Sequence, residues 1–195
     1  MPKHKCLFLG YDEKKTKIID FMKKKNVEVK KLLNQDLEVK DVIGMDFIVS
    51  FGYRKIINYS ILSQFKKPII NLHMSYLPFN RGSHPNFWSF IDNTPKGVTI
   101  HEVSKGIDDG NIIFQKQYDI DPSLEKFSTF KKTYIFLFDA LEDLFIEKFD
   151  EIVNNSYTSK KQGDFFTFHR LSDLPSALNN WDENIVEYLS KKNSV

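Results

Sequence analysis

One cysteine, Cys6, is all the chain carries, so no intrachain disulfide can form, thiolate metal clusters are excluded, and a reducing compartment, by default the cytoplasm, is expected. Long apolar runs are also missing. None approaches the ~18 residues of a membrane span, and the N-terminus MPKHKCLFLG breaks into charge and glycine too soon for a secretory signal. A soluble, unprocessed protein with no membrane partner is expected. Arginine is scarce: Arg54, Arg81 and Arg170 are the only three among 28 basic residues, and 26 acidic residues bring the net charge to +2. A nucleic-acid binder would show a basic stripe with arginine forks. Here lysines are scattered among acids, Lys23-Lys24-Lys25 lying beside Asp20 and Glu28 as on a solvated helix face, and no nucleic acid is expected. The five histidines have no zinc-motif spacing, so no metal is expected either.

What remains is 195 residues with 18 phenylalanines, enough for one ordinary domain with an aromatic-filled core. No internal repeat or low-complexity segment appears. Ten of the glycines and prolines fall between Gly52 and Pro122, which concentrates turns and special dihedrals where loops carry chemistry. Before that stretch the chain alternates. The apolar run Cys6 to Leu9 ends at Gly10, a helix-like stretch from Asp12 puts Ile18, Ile19 and Met22 on one face, a strand-like segment spans Val27 to Leu33, and Phe47-Ile48-Val49 ends at Ser50-Phe51-Gly52. Strands separated by helices predict right-handed crossovers and a mostly parallel α/β sheet, Rossmann-like, with helices on both faces. Pro68-Ile69-Ile70 leads into Asn71-Leu72-His73. A short helix near Asn86 to Ile91, strands from Gly97 to Val103 and from Ile112 to Ile120, and a long amphipathic helix from about Ser123 to Val153 follow. Tyr157 to Gly163 reads as a polar linker, Phe165 to Phe168 as a strand before a helical tail containing Trp181. The predicted division is a catalytic domain over 1–153 and a C-terminal extension over 154–195.

In open parallel sheets the working site lies beyond the carboxyl ends of strands. Asn71 and His73 interrupt an apolar strand at such an end. Two residues apart, they share a face with alpha carbons about 7 Å apart. Ser75-Tyr76-Leu77-Pro78-Phe79-Asn80-Arg81-Gly82 follows, a turn-rich segment with a lone arginine, and His101 sits inside the strand before the Asp108-Asp109-Gly110 turn.

Asn71-Leu72-His73, Ser75-Tyr76-Leu77-Pro78, the strand Gly97-Val98-Thr99-Ile100-His101 and the loop Ile107-Asp108-Asp109-Gly110 together resemble the catalytic domain of formyltransferases that use N10-formyltetrahydrofolate. The resemblance spans roughly Asp46 to Ile120. It implies Asn71, His73 and Asp108 as catalytic residues, with Asp108 preferred over Asp109 because it precedes the x-Gly, and no metal. It places the folate co-substrate on the segment containing Arg54, Lys55, Ile56 and Ile57 and on the loop from Ser104 through Ile107, largely through backbone groups. His101 is either near the cofactor or a packed, hydrogen-bonded residue. The chemistry needs these residue types: a neutral amine attacks a formamide carbon, the Asn71 amide donates to the oxyanion, a protonated His73 adds to it, and Asp108 favours the imidazolium and carries protons.

Acceptors differ within the family. Leu9-Gly10-Tyr11-Asp12-Glu13-Lys14 offers one glycine and two acids, a poor phosphate cradle for glycinamide ribonucleotide. Only about 40 residues follow the long helix, fewer than the C-terminal barrel of methionyl-tRNA formyltransferases needs, and the extra N-terminal domain of the hydrolases is not expected. The stretch from Ser75 to Ser89 is similar to the sugar N-formyltransferase branch. That implies a nucleotide-linked amino-dideoxy sugar as substrate, on the way to surface polysaccharides such as lipopolysaccharide O-antigen, with Ser75, Tyr76, Asn80, Arg81 and His84 lining it and Arg81 giving a bidentate fork to the diphosphate. The branch has an acid where His84 stands. Trp88 reads as helix core. The aromatic tail suggests a nucleobase contact, a homodimer or core packing. Another small amine as acceptor, or a catalytically silent folate-binding module, are the competing readings.

Overall fold

The apolar run after Lys5 forms the body of β1 (His4–Gly10), followed by α1 (Ile18–Lys24), β2 (Val27–Leu32), α2 (Val39–Val42), β3 (Phe47–Phe51), α3 (Tyr59–Gln64) and β4 (Ile69–His73). Then come β5 (Arg81–Gly82), α4 (Pro85–Ile91), β6 (Lys96–Glu102), β7 (Ile112–Tyr118), α5 (Phe130–Glu147), α6 (Phe149–Val153), β8 (Phe168–His169) and α7 (Ile185–Lys192). The computed structural model describes residues 3–67, 69–176, 178 and 180–192, so Pro68 of the third apolar run lies outside the described residues. None of the described helices is long and apolar enough to cross a membrane.

Six strands form one sheet in the order β2-β1-β3-β4-β6-β7. The first four of these are mutually parallel, and β6 and β7 complete the sheet antiparallel. β3 is buried at every residue, as a central strand covered on both faces must be. Alternation along β1 divides the core: Cys6 and Phe8 join Ile18, Ile19, Leu141 and Phe145 on one side, whereas Leu7 and Leu9 join Val42, Ile57 and Ile61 on the other. Helices α1 and α5 therefore cover one face, α2 and α3 the other. The strand order reverses between β1 and β3, the kind of switch point beside which open α/β sheets bind ligands. There the chain passes very close to itself. Gly10 has φ +106°, and a Cβ on it would sit 2.2 Å from the Phe51 carbonyl oxygen, so only glycine lets β1 leave the sheet beside β3.

Several boundaries differ from the sequence reading. The first helix begins at Ile18 and not near Asp12, because Asp12 caps a turn: its carboxylate accepts from the Lys14 N–H and its carbonyl from those of Lys15 and Thr16. The long helix is broken. A 3-10 turn at Glu125–Phe127 precedes it, Thr129 caps α5 by accepting from the Lys132 N–H at 3.2 Å, and α6 restarts after Lys148. The tail helix starts at Ile185, beyond Trp181, and the strand expected at Phe165 to Phe168 is instead the two-residue β8, paired parallel with β5. The stretch read as a linker is attached: Lys160 bridges Ile112 through two backbone bonds of 2.8 Å.

Candidate active site

The period of two along β4 sends the Asn71 and His73 side chains to one face. Antiparallel pairing sets Asn71 directly opposite His101 and His73 opposite Thr99. The Asn71 amide nitrogen lies 3.1 Å from His101 Nε2 and donates to Asp108 Oδ1 at 3.2 Å. His101 Nδ1 faces the Glu102 carbonyl at 2.7 Å. A carbonyl only accepts, so Nδ1 carries a proton and donates there. His73 Nε2 lies 3.1 Å from the Asn80 carbonyl oxygen and its Nδ1 3.6 Å from Asp108 Oδ2.

Asp108 closes the group from the loop after β6. Its backbone is left-handed, φ +50°, a conformation that aspartate adopts more readily than most side chains. The carboxylate accepts from the Gly82 N–H at 2.9 Å and stands 3.4 Å from His101 Nε2. Asp109 is exposed and takes the Ser104 hydroxyl instead, so Asp108 is the acid that meets both histidines.

The charge states follow from burial and neighbours. Burial works to raise the Asp108 pKa, yet His73, His101 and the Gly82 N–H outweigh it and hold the carboxyl well below the ordinary range. For His73 burial dominates and lowers its pKa from 6.5, with Asp108 pulling the other way and His101 reinforcing the drop. Burial thus works against a charge on His73 while Asp108, itself held ionised, works for one. Asp108 does favour the imidazolium as expected, and desolvation of a histidine that is only 7 % exposed opposes it with the larger effect.

The remaining candidates are spread around this group. Arg54, Lys55 and Ile56 extend into solvent after β3, with Lys55 Nζ on Asp36 at 3.2 Å, whereas Ile57 is buried. Ile107 is exposed on the facing loop, and Lys105 Nζ lies 4.0 Å over the Tyr59 ring, joining that loop to α3. Ser104 is half-buried. Tyr76 packs over Gly97. His84, half-buried with φ +52°, lies 5.1 Å from the Trp181 ring, and burial, then Arg54, lowers its pKa. Of the other expected sugar contacts one is buried and two are held by partners within the chain. Ser75 is 2 % exposed. Asn80 is fully buried, its amide held by Asp92 at 3.0 Å and Thr94 at 2.6 Å. Arg81 turns its fork onto Gln162 Oε1, at 3.1 and 2.8 Å, with the Phe166 ring 4.3 Å from its guanidinium. A guanidinium in this half-enclosed place needs a fixed acceptor, and the chain supplies one.

Gln162 was invisible to sequence reasoning, because it stands in an aperiodic polar stretch with no motif. Its other amide end donates to the carbonyls of Asp108 and Gly110 at 2.8 and 2.7 Å. His169, expected in a nucleobase or dimer contact of the aromatic tail, instead meets Asp92 at 2.7 Å across 77 residues of chain, and Asp92 carried no signal in the sequence. Trp88, read as helix core, is buried and stacks flat on His169, centroids 3.8 Å apart and planes 4° from parallel.

This geometry sits on a chain whose residues 2–134 match the profile of the formyl transferase family. The chain belongs to the formyl transferase family. The formyltransferase PseJ from Anoxybacillus kamchatkensis, solved in complex with UDP-4,6-dideoxy-4-formamido-L-AltNAc and tetrahydrofolate, is 35% identical to this chain, with a TM-score of 0.85 over 94% of this chain and 96% of that one. A dTDP-4-amino-4,6-dideoxyglucose formyltransferase of Mycobacterium bovis is 37% identical over 91 residues, 47% of this chain and 37% of the relative. A methionyl-tRNA formyltransferase of Clostridium acetobutylicum is 30% identical over 136 residues, 68% of this chain and 43% of the relative. The matched stretches therefore span less than half the length of those two curated relatives.

Proposed function

We propose that this formyltransferase moves the formyl group of N10-formyltetrahydrofolate to the amine of a nucleotide-linked amino-dideoxy sugar. The observation that carries the reading is the near end-to-end likeness to PseJ, a protein solved with a formamido sugar nucleotide and tetrahydrofolate, together with Asn71, His73 and Asp108 meeting at the end of β4. In this reading residues 1–153 carry the chemistry and 154–195 brace it. The exposed Ile56 and Ile107 offer apolar contacts to a pterin.

Asn71 turns an amide N–H from Asp108 or His101 to the oxyanion that forms when the amine attacks the formyl carbon. Neutral His73 takes the proton leaving the amine, and the imidazolium so formed rests beside ionised Asp108, which was charged before the reaction began. The proton then passes to the departing folate nitrogen. With Arg81 turned onto Gln162, the diphosphate falls to Arg54, the cation felt at His84. The same reading includes a cytoplasmic setting and a homodimer through the exposed Phe165, Phe166 and Leu171. Sedimentation equilibrium giving the mass of one chain would remove the dimer.

Incubating the protein with 10-formyltetrahydrofolate and a panel of uridine-, thymidine- and guanosine-diphosphate amino sugars tests the main claim. Formylated sugar is expected. Formate alone would mean a hydrolase, formylation of methionyl-tRNA or another small amine a different acceptor, and folate binding without turnover a silent module.

A further inference from the structure

His73 has two ring nitrogens, and when the ring is neutral one of them bears the proton. Nε2 faces the Asn80 carbonyl oxygen at 3.1 Å. Were the proton on Nδ1, it would point at Asp108 Oδ2 from 3.6 Å, beyond hydrogen-bond reach, while on the other side the Nε2 lone pair would face that of the carbonyl at 3.1 Å inside a buried site. The position of one carbonyl thus decides which nitrogen is available for chemistry.

That carbonyl belongs to no regular element. Asn80 has φ +56° and is fully buried, and it is held from three sides. Its N–H donates to Thr167 Oγ1 at 2.7 Å, its amide nitrogen to Asp92 Oδ2 at 3.0 Å, and its amide oxygen accepts from Thr94 Oγ1 at 2.6 Å. Asp92 Oδ2 also faces His169 Nε2 at 2.7 Å. His169 is fixed in turn by its stack on Trp88, and its carbonyl accepts from the Ser83 N–H at 2.9 Å. A continuous chain of contacts runs from the C-terminal extension through Asp92 and Asn80 to the ring of His73.

We propose that Asp92 and His169 are positioning residues which, through the Asn80 carbonyl, hold neutral His73 with its proton on Nε2 and its lone pair on Nδ1, facing Asp108. The proposal rests on the part given to His73 above only for its kinetic consequence; the state of the ring is measurable whatever the reaction. The ionisable groups acting on His73 are Asp108, from the loop after β6, and His101, from β6. His169 faces Asp92, from the end of α4.

The test is long-range proton–nitrogen NMR on histidine-labelled protein, with His73→Gln assigning the signal. The wild type should show His73 protonated on Nε2. His169→Phe keeps a ring on Trp88 but has no N–H for Asp92; it should give a mixture of the two protonation patterns and lower kcat by about tenfold with both KM values kept. The acid limb of its kcat profile should move to lower pH, since the Asn80 carbonyl favours the charged ring. His169→Gln retains an N–H donor and should restore the wild-type pattern. Asp92→Ala should resemble His169→Phe, and if it fails to fold, His169→Phe decides. A wild-type His73 protonated on Nδ1, or a His169→Phe protein whose His73 spectrum equals wild type, overturns the proposal. Absent formyl transfer with the expected spectra would instead count against the reading of function alone.

Discussion

Arg81 and Gln162 are joined by a fork, both Nε and Nη2 donating to a single amide oxygen at 3.1 and 2.8 Å. Because the same glutamine donates to the carbonyls of Asp108 and Gly110, one side chain fastens the strand beside Asn80 to the loop that carries the catalytic candidate Asp108. Gln162→Ala would leave the guanidinium and two carbonyls without partners. A loss of about 2–3 kcal/mol in urea unfolding is expected, with turnover down by about tenfold as Asp108 loosens. Wild-type stability and rate in this variant would show the fork to be incidental.

The pH profile follows from the two shifted groups. Proton acceptance by His73 requires the neutral ring, and its pKa lies below 6.5. Turnover should therefore persist through pH 6.5 and fall only as the medium becomes more acidic. Asp108→Asn removes the charge that raises the His73 pKa, so the acid limb should move lower still while kcat drops by about 100- to 1,000-fold. Asp109→Asn should be mild. Equal, small effects of both substitutions would undo the assignment.

Arg54→Ala separates two roles. If the exposed guanidinium serves the diphosphate, KM for the nucleotide sugar rises by about tenfold, the worth of one charge-assisted contact, and KM for the folate stays. A rise confined to the folate would return Arg54 to the pterin loop.

Glu142 is 3 % exposed on α5, and its Oε1 accepts from the Thr16 hydroxyl at 2.5 Å and the Lys17 N–H at 2.9 Å. Glu142→Leu fills the space but orphans both donors, so a stability loss of about 2–4 kcal/mol is expected. Thermal unfolding unchanged within a degree would contradict it.

The apolar runs at β1, β3 and β4 were legible because fully buried parallel strands must be apolar throughout, and the Asn71-Leu72-His73 stretch stood out against them. Helices α2 and α3, four and six residues long, are too short to display a period of 3.6. The fork of Arg81 could not be placed either, because a lone arginine looks the same in sequence whether it meets a ligand or Gln162. Likewise Asp92 and His169 belong to one contact only after the C-terminal stretch has folded back beside β5.

The pairing of β4 with β6 has a wider implication. A slip of a single position between them would carry His101 to the opposite side of the sheet, leaving the Asn71 amide without its imidazole. The pairing of Asn71 with His101 is thus inherited from how two strands line up, whereas Asp108 and the Asn80 carbonyl reach the same place from loops, which cannot lengthen or shorten without moving them.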